Sequence, residues 1–257
     1  MKPIVVKIGG STLGSHDTTL EDLVELQKKR VSVVVVHGGA QVVSGWLAKL
    51  SISTSFIKGL RVTDAESLKV VAAVLGGLVN KELVVAIQAL GGKTIGLSGS
   101  DGNLLRATIK SPELGYVGEI VAVDTAPLKL LLGKGYMPII APISFGSVGD
   151  KLTLLNVNGD AAAGEIAAAL AAEKLIFLTN VAGICDVSGK VISRLNITEA
   201  KALLNSEVAS GGMVPKIEAS IKALATVSVV RIIDGKVPHA LLNEAKSGIG
   251  GTAIVSE

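Results

Sequence analysis

Cysteine occurs once in the 257 residues, as Cys185. That rules out an internal disulfide framework and matches a reducing compartment. Aromatic residues make up only 2% of the chain. Val, Ile, Leu and Ala must therefore fill the core. Basic residues never run five or six together, and 25 Lys and Arg against 22 Asp and Glu leave a net charge of only +3. No nucleic-acid footprint is expected from that balance. A secretory h-region is missing, and no apolar run reaches the roughly 18 residues of a membrane span. The longest candidate, 161–178, is cut by Glu165, Glu173 and Lys174. These absences point to a cytoplasmic protein with neither membrane nor nucleic acid as partner.

Chemical signatures are missing too. The three histidines, His16, His37 and His239, lack ligand spacing, so no protein-held metal is expected. There is no G-x-S-x-G elbow, and Cys185 has no obvious base beside it. A Walker loop is absent as well: in VVKIGGS, Lys7 precedes Gly9 and Gly10 instead of following them.

What the chain does have is apolar patterning, with 49% hydrophobic and 18% charged residues. Short β-branched runs at 4–8, 31–36, 93–97, 137–140, 175–179, 228–232 and 252–255 alternate with helical periods at 19–29, 41–50, 64–90, 125–132, 160–172, 198–204 and 215–225. The 64–90 stretch reads as two helices. Uninterrupted runs such as VSVVVV mark strands covered on both faces. Such alternation predicts an α/β fold, an open, mostly parallel sheet between helix layers. Around Ser111–Gly115 and Gly149-Asp150, flanking segments read as two hairpins set onto that sheet. A soft lobe boundary falls near residue 173.

Ligands of open parallel sheets bind at the carboxyl ends of the strands. Small-residue loops follow four predicted strands: Gly9-Gly10-Ser11, His37-Gly38-Gly39-Ala40, Gly99-Ser100-Asp101-Gly102 and Asn180–Gly183. One such loop is an ordinary tight turn; four together suit the close approach of backbone N–H groups to an anion. Lys7 reads equally well as a buried stem whose ammonium reaches the sheet rim. Lys216 stands in the first turn of a helix opened by Pro215, where the dipole disfavours a cation, and it follows Gly211-Gly212. Asp160 suits the same helix end as a dipole complement, with Asn158 as N-cap. Strand alternation turns Asn156 and Asn158 to the same side, giving two amides and a carboxylate at one helix mouth. Arg61, in KGLRVTD, offers a planar fork for a carboxylate, with an exposed ion pair as the plain alternative. Asp101 is weaker, and His37 reads as structural. Lysines, an arginine, glycine loops and one aspartate suit the electrostatic handling of phosphates.

The motifs VVKIGGS, VVVHGGA, KGLRVTD, GLSGSDGNL, NVNGDAAAGEIAAAL, LTNVAGI, GGMVPKIEA and GIGGTAI, in this order over residues 4–255, resemble those of the amino acid kinase family. KGLRVTD with NVNGD is similar to its N-acetylglutamate branch. The resemblance implies one αβα sandwich of the carbamate kinase-like type. Residues 1–173 would bind the acidic substrate and form a homodimer, and 174–257 would bind ATP with Mg2+. It implies ATP-dependent phosphorylation of the γ-carboxylate of N-acetyl-L-glutamate, a step of arginine biosynthesis. Lys7 and Lys216 would flank the transferred phosphoryl group, with Asp160 holding both. Gly9, Gly10 and Gly38 would donate N–H groups to it. Gly39, Ala40, Arg61, Asn156 and Asn158 would meet the substrate, with Arg61 on its α-carboxylate and Asn156 on its acetamido group. Asn180, Val181, Ala182, Gly183, Ile184 and Cys185, with Val208, Ala209 and Ser210, would contour the nucleotide.

Two residues depart from the pattern: Ala40 replaces a usual third glycine, and Asn180 a frequent aspartate. Hexameric relatives inhibited by arginine carry a helix before the first strand, whereas this strand starts within four residues of Met1. A dimer without arginine feedback is therefore expected. The near alternative is a sister kinase acting on aminoadipate or glutamate borne by an amino-group carrier protein. A non-catalytic nucleotide-binding member sits poorly with both lysines and Asp160 being present. A dinucleotide-binding oxidoreductase lacks its G-x-G-x-x-G.

Overall fold

The computed structural model describes residues 2–9, 18–206, 211–248 and 250–257. Gly10, Ser11, His16, Val208, Ala209 and Ser210 lie outside the described residues. The strands are β1 (Ile4–Ile8), β2 (Val33–His37), β3 (Phe56–Ile57), β4 (Leu60–Arg61), β5 (Thr94–Ser98), β6 (Leu105–Ile109) and β7 (Val117–Val123). They continue with β8 (Met137–Ala141), β9 (Ile143–Val148), β10 (Lys151–Val157), β11 (Lys174–Thr179), β12 (Arg194–Asn196), β13 (Val229–Asp234) and β14 (Thr252–Val255). The helices are α1 (Thr19–Lys28), α2 (Ala40–Lys49), α3 (Ala65–Ala72), α4 (Asn80–Ala89) and α5 (Ala126–Gly133). After them come α6 (Gly159–Ala169), α7 (Ile197–Leu204), α8 (Met213–Ala223) and α9 (Ala240–Ser247).

Eight strands form one sheet in the order β12-β14-β13-β11-β1-β2-β8-β5. Only the β13–β14 pair is antiparallel. Strands before residue 173 make one half of the sheet and later strands the other, meeting where β1 pairs with β11. From β1 the chain moves outward on one side to β2, and the later strands build up on the other. The carboxyl end of β1 is therefore a topological switch point, where open sheets leave a crevice.

Alternation along the strands divides the core in two. Val5, Val34, Val36 and Phe177 pack with α6 and α8. Ile4, Val6, Ile8, Val33 and Val35 pack on the other face, with α1, α2 and the helix through residue 89. Lys7 shares the parity of Val5 and so faces α6; His37 shares that of Val33 and Val35 and faces the opposite layer.

The stretch read as two helices is continuous. α3 runs through a π-helical segment, 73–79, directly into α4, so Gly76-Gly77 widens the helix without breaking it. This is the one helix among the described residues long and apolar enough for a membrane span. Val71, Val74, Leu75, Val79, Leu83 and Ile87 bury it in the core instead.

The two hairpins do not extend the large sheet. β6–β7 and β9–β10 pair with each other and close a barrel in the order β10-β7-β6-β9. Each hairpin thereby covers the other's free edges. The closeness depends on Gly146, where a Cβ would stand 2.0 Å from the Ala107 carbonyl oxygen.

Candidate active site

Five elements converge on the crevice at the end of β1. Lys7 is the penultimate residue of β1, and its alternation turns it towards the N-terminus of α6. That helix is capped by Asn158, whose Oδ1 accepts from the N–H groups of Asp160 (2.8 Å) and Ala161 (3.1 Å). The cap places Asp160 in the first turn, where the helix dipole favours its charge. Lys216 comes from the first turn of α8, which packs beside α6 because Gly164 lets Ala219 approach: a Cβ there would lie 2.7 Å from the Ala219 carbonyl oxygen.

The outcome is one carboxylate between two ammonium groups. Lys7 Nζ lies 2.9 Å from Asp160 Oδ1, and Lys216 Nζ lies 3.1 Å from Oδ2. Lys216 also donates to the Gly212 carbonyl at 3.2 Å. The Lys7 contact is a close ion pair, with both charges buried. An ammonium has three donors, so Lys7 keeps others for the cleft. Burial, the largest influence on Asp160, pushes its carboxyl up, but the two ammonium groups together outweigh it and hold it below the usual carboxylate range. Burial lowers Lys216; Asp160 opposes this and Lys7 adds to it. Asp160 is thus a fixed anion, and the trio carries a net positive charge.

The adjoining cleft, of about 300 Å³, is lined by Lys7, Gly38, Gly39, Ala40, Arg61, Asn156, Asn158 and Asp160, among others. Arg61 ends β4 of a short hairpin and is only 7% exposed. Its guanidinium donates to Thr54 Oγ1 (2.5 Å), Ser44 Oγ (2.7 Å) and the Ala40 carbonyl (3.0 Å), and it lies over the Phe56 ring at 4.7 Å. Among the described residues no carboxylate pairs with it, and burial lowers its pKa. Three of its five donors are engaged, so the fork keeps donors for a ligand.

Asn156 donates from Nδ2 to Thr63 Oγ1 (3.1 Å), and that hydroxyl donates to the Arg61 carbonyl (2.9 Å). The buried Thr63 can therefore only accept from Asn156, which sets the side-chain amide with its oxygen turned away from Thr63.

The turn after β2 changes one expectation. The ladder runs on past the strands: Gly38 N–H donates to the Ile8 carbonyl (2.9 Å) and Gly9 N–H to that of Leu178 (3.3 Å). Neither is a spare donor. Gly39 N–H has no acceptor among the described residues, so the donor in this turn moves one residue on. Gly39 must be glycine: its φ is +152°, and a Cβ would meet Leu75 Cδ2 at 2.6 Å. Ala40 opens α2 with ordinary helical backbone, so a third glycine is not needed there.

On the other side of β1, residues 180–185 follow β11 as a loop. Ile184 N–H donates to Thr252 Oγ1 (2.8 Å), and Gly183 lies against the same hydroxyl. Asn180 and Val181 are exposed. Val208–Ser210 and Gly10 lie outside the described residues, so the structure places only part of the predicted nucleotide contour.

Sequence reading missed Thr63, Ser44, Thr54 and Asn80, the side chains that hold the site residues. Asn80, fully buried in a helix of Val and Leu, was the one visible anomaly: an amide in so apolar a stretch needs a partner.

A parallel-sheet crevice carrying two fixed ammonium groups, a bare backbone donor and a buried guanidinium defines a class of proteins that transfer an anionic group between charged substrates. The model of the amino acid kinase family matches residues 2–234, and the chain belongs to that family. It is 43% identical to the acetylglutamate kinase of Dehalococcoides mccartyi, over 99% of this chain and 94% of that one. Identity to the acetylglutamate kinase of Thermosynechococcus vestitus is 46%, over 99% and 89% of the two chains. Among solved structures it is similar to the N-acetylglutamate synthase of Neisseria gonorrhoeae complexed with coenzyme A and N-acetyl-glutamate. That likeness has a TM-score of 0.85 and 28% identity, and covers all of this chain and 60% of that one.

Proposed function

We propose that the chain phosphorylates the γ-carboxylate of N-acetyl-L-glutamate with ATP, as an acetylglutamate kinase of arginine biosynthesis. The observation that carries this reading is Arg61, a buried cation without an acidic partner among the described residues, lining the same cleft as Lys7 and Asp160. A guanidinium so placed calls for a ligand carboxylate. The Asn156 amide oxygen, set by Thr63, suits the N–H of an acylated amine. The identity to curated acetylglutamate kinases over nearly full length supports the same substrate.

In the reaction a γ-carboxylate oxygen forms a bond to Pγ while the bond from Pγ to the β,γ-bridging oxygen breaks, and the electron pair leaves on ADP. The carboxylate is already ionised at neutral pH, so no general base is needed. The obstacle is like charge meeting like charge. Lys7 and Lys216 oppose it from either side, Asp160 keeps them at fixed distances, and Gly39, with Gly10, supplies backbone donors. Gly9 and Gly38 serve as the small residues that leave room for the group. Arg61 holds the α-carboxylate, Asn156 reads the acetamido group, and Gly39, Ala40 and Asn158 shape the pocket.

No group of three or more His, Cys, Asp or Glu among the described residues could hold a metal ion. Asp160 is occupied by two lysines. The donor set therefore fits a magnesium ion carried on the phosphate oxygens and water of the nucleotide, where it would neutralise phosphate charge. Residues 1–173 take the acidic substrate and the dimer contact, and 174–257 the nucleotide, through Asn180–Cys185 and Val208–Ser210. A cytoplasmic homodimer completes the proposal; a ring-shaped hexamer in solution would overturn that part.

Hydroxylamine trapping of the acyl phosphate tests the reaction across N-acetylglutamate, glutamate, aspartate, carbamate and carrier-borne aminoadipate or glutamate. ATP-dependent hydroxamate with N-acetylglutamate is expected. Its absence there, or its appearance only with a carrier-borne aminoadipate or glutamate, would refute the assignment.

A further inference from the structure

We infer that His37 is a positioning residue for phosphoryl transfer, one that aims the Gly39 N–H at the transferred group; this rests on the kinase reading above. His37 ends β2, is fully buried, and faces the layer opposite Lys7. Its Nδ1 lies 2.8 Å from the Gly38 carbonyl oxygen, which can only accept, so Nδ1 carries the proton.

The other ring nitrogen is fixed just as firmly. Asn80 Nδ2 faces the carbonyl oxygens of Ile139 (2.9 Å) and Leu97 (3.2 Å), while Asn80 Oδ1 accepts from Lys81 Nζ (3.0 Å). The amide cannot be turned round without setting its oxygen against two carbonyls. Its NH2 group therefore faces His37 Nε2 at 3.2 Å, with two hydrogens shared among three acceptors, and a proton on Nε2 would point at that donor group. Burial, with help from the charges of Lys7 and Lys81, lowers the imidazole pKa to about 4 against the opposing pull of the Gly38 hydrogen bond. A neutral ring agrees with this network.

The consequence lies in one peptide plane. The Gly38 carbonyl and the Gly39 N–H belong to the same trans peptide and point in opposite directions. By pulling the carbonyl inward, His37 turns the N–H outward, to the cleft that Gly38 and Gly39 line. Two glycines in succession would otherwise let this peptide rotate at little cost. Leu75 and Val79, from the π-helical segment, close on Gly39 from behind, and Asn80 follows directly. One irregular stretch of helix therefore braces both the turn and its histidine.

Two variants of the full chain separate the ring nitrogens. His37→Asn puts an amide N–H near the position of Nδ1 and keeps the donor to Gly38. His37→Gln places its polar end near Nε2 and loses that donor. His37→Gln should lower kcat about 100-fold, the scale of losing one preorganised donor. The KM values for ATP and N-acetylglutamate should stay within about threefold, and His37→Asn should keep kcat within about fivefold of the parent. Equal loss in both variants, or retention in both, overturns the inference. The unaltered protein gives a second readout by NMR. His37 should show the neutral Nδ1–H tautomer at pH 7, and the Gly39 amide should shift when ADP with aluminium fluoride is added. An Nε2–H tautomer or an unmoved Gly39 amide also overturns it. An enzyme inactive on N-acetylglutamate would sink the kinase reading, while the NMR result would still decide the role of His37.

Discussion

Two clusters in this protein have the same charge inventory, two cations around one buried carboxylate, and opposite fates. At the end of β1, Asp160 lies between Lys7 and Lys216. On α9, Glu244 lies between Arg231 (2.9 Å) and Lys174 (3.5 Å). In the second cluster both cations reach further acceptors on the same helix and the loop after it: Arg231 also donates to the carbonyls of Gly248 and Gly250, and Lys174 to that of Glu244 itself. In the first, Lys7 has no other partner among the described residues, and it borders a cleft. Charge and burial do not distinguish a site from a staple; the cleft that Lys7 and Asp160 line does. The cluster on the cleft is open to a ligand, while the other ties α9 and the loop after it to the sheet.

The largest test of this contrast is Lys7→Ala. Turnover should fall about 1,000-fold, on the scale of removing transition-state charge stabilisation, with a much smaller change in KM for ATP. An equal effect on both would remove Lys7 from the transition state. Glu244→Gln probes the other cluster. Leaving Arg231 buried without its carboxylate should cost about 3 kcal/mol or more in urea unfolding, while kcat of the folded protein stays within about twofold. A dead but stable Glu244→Gln enzyme would break the comparison.

His37 sharpens it with a buried centre that stays neutral. Its pKa is lowered from 6.5 to about 4, so between those values the unfolded chain binds more protons. Stability should therefore fall as pH drops from about 6.5 to about 4, by roughly 3 kcal/mol, and level off below. Urea midpoints at pH 7, 5.5 and 4 should show the loss in the parent and a smaller one in His37→Asn. The part held by Asp160, whose carboxyl is lowered, is present above the ordinary carboxylate range and lost only at more acid pH. The smallest effect is expected at Arg61. Arg61→Lys keeps the charge but not the fork, and should raise KM for N-acetylglutamate about tenfold with kcat little changed. An unchanged KM would move the substrate carboxylate elsewhere.

Much of this was legible in one dimension. Seven strands of the large sheet stand within two residues of their apolar runs, because buried parallel strands write themselves as unbroken β-branched sequence. Lys7 and Lys216 each strained a local rule and could be suspected singly, whereas Asp160 suited its helix end and Arg61 had an exposed ion pair as its plain alternative. The short elements could not be seen. β12 has three residues, and α9 opens at His239 with left-handed backbone and no capping side chain, so neither carries a strong period or start signal. Barrel closure is a pairing between two hairpins, and apart from the room left at Gly146 neither hairpin announces its partner. His37 read as structural because its partner, Asn80, lies 43 positions away.

The sequence by itself determined the layers, the crevice at the strand ends and the kinds of charge gathered there, since periodicity and residue chemistry are local properties. Tertiary structure alone decided which donors remain free. It committed the N–H groups of Gly9 and Gly38 to the ladder and left that of Gly39 open, turned Arg231 to Glu244 and two loop carbonyls, and set Lys7 on the cleft. Hydrogen-bond saturation depends on acceptors brought in from distant segments, and only folding sets those distances.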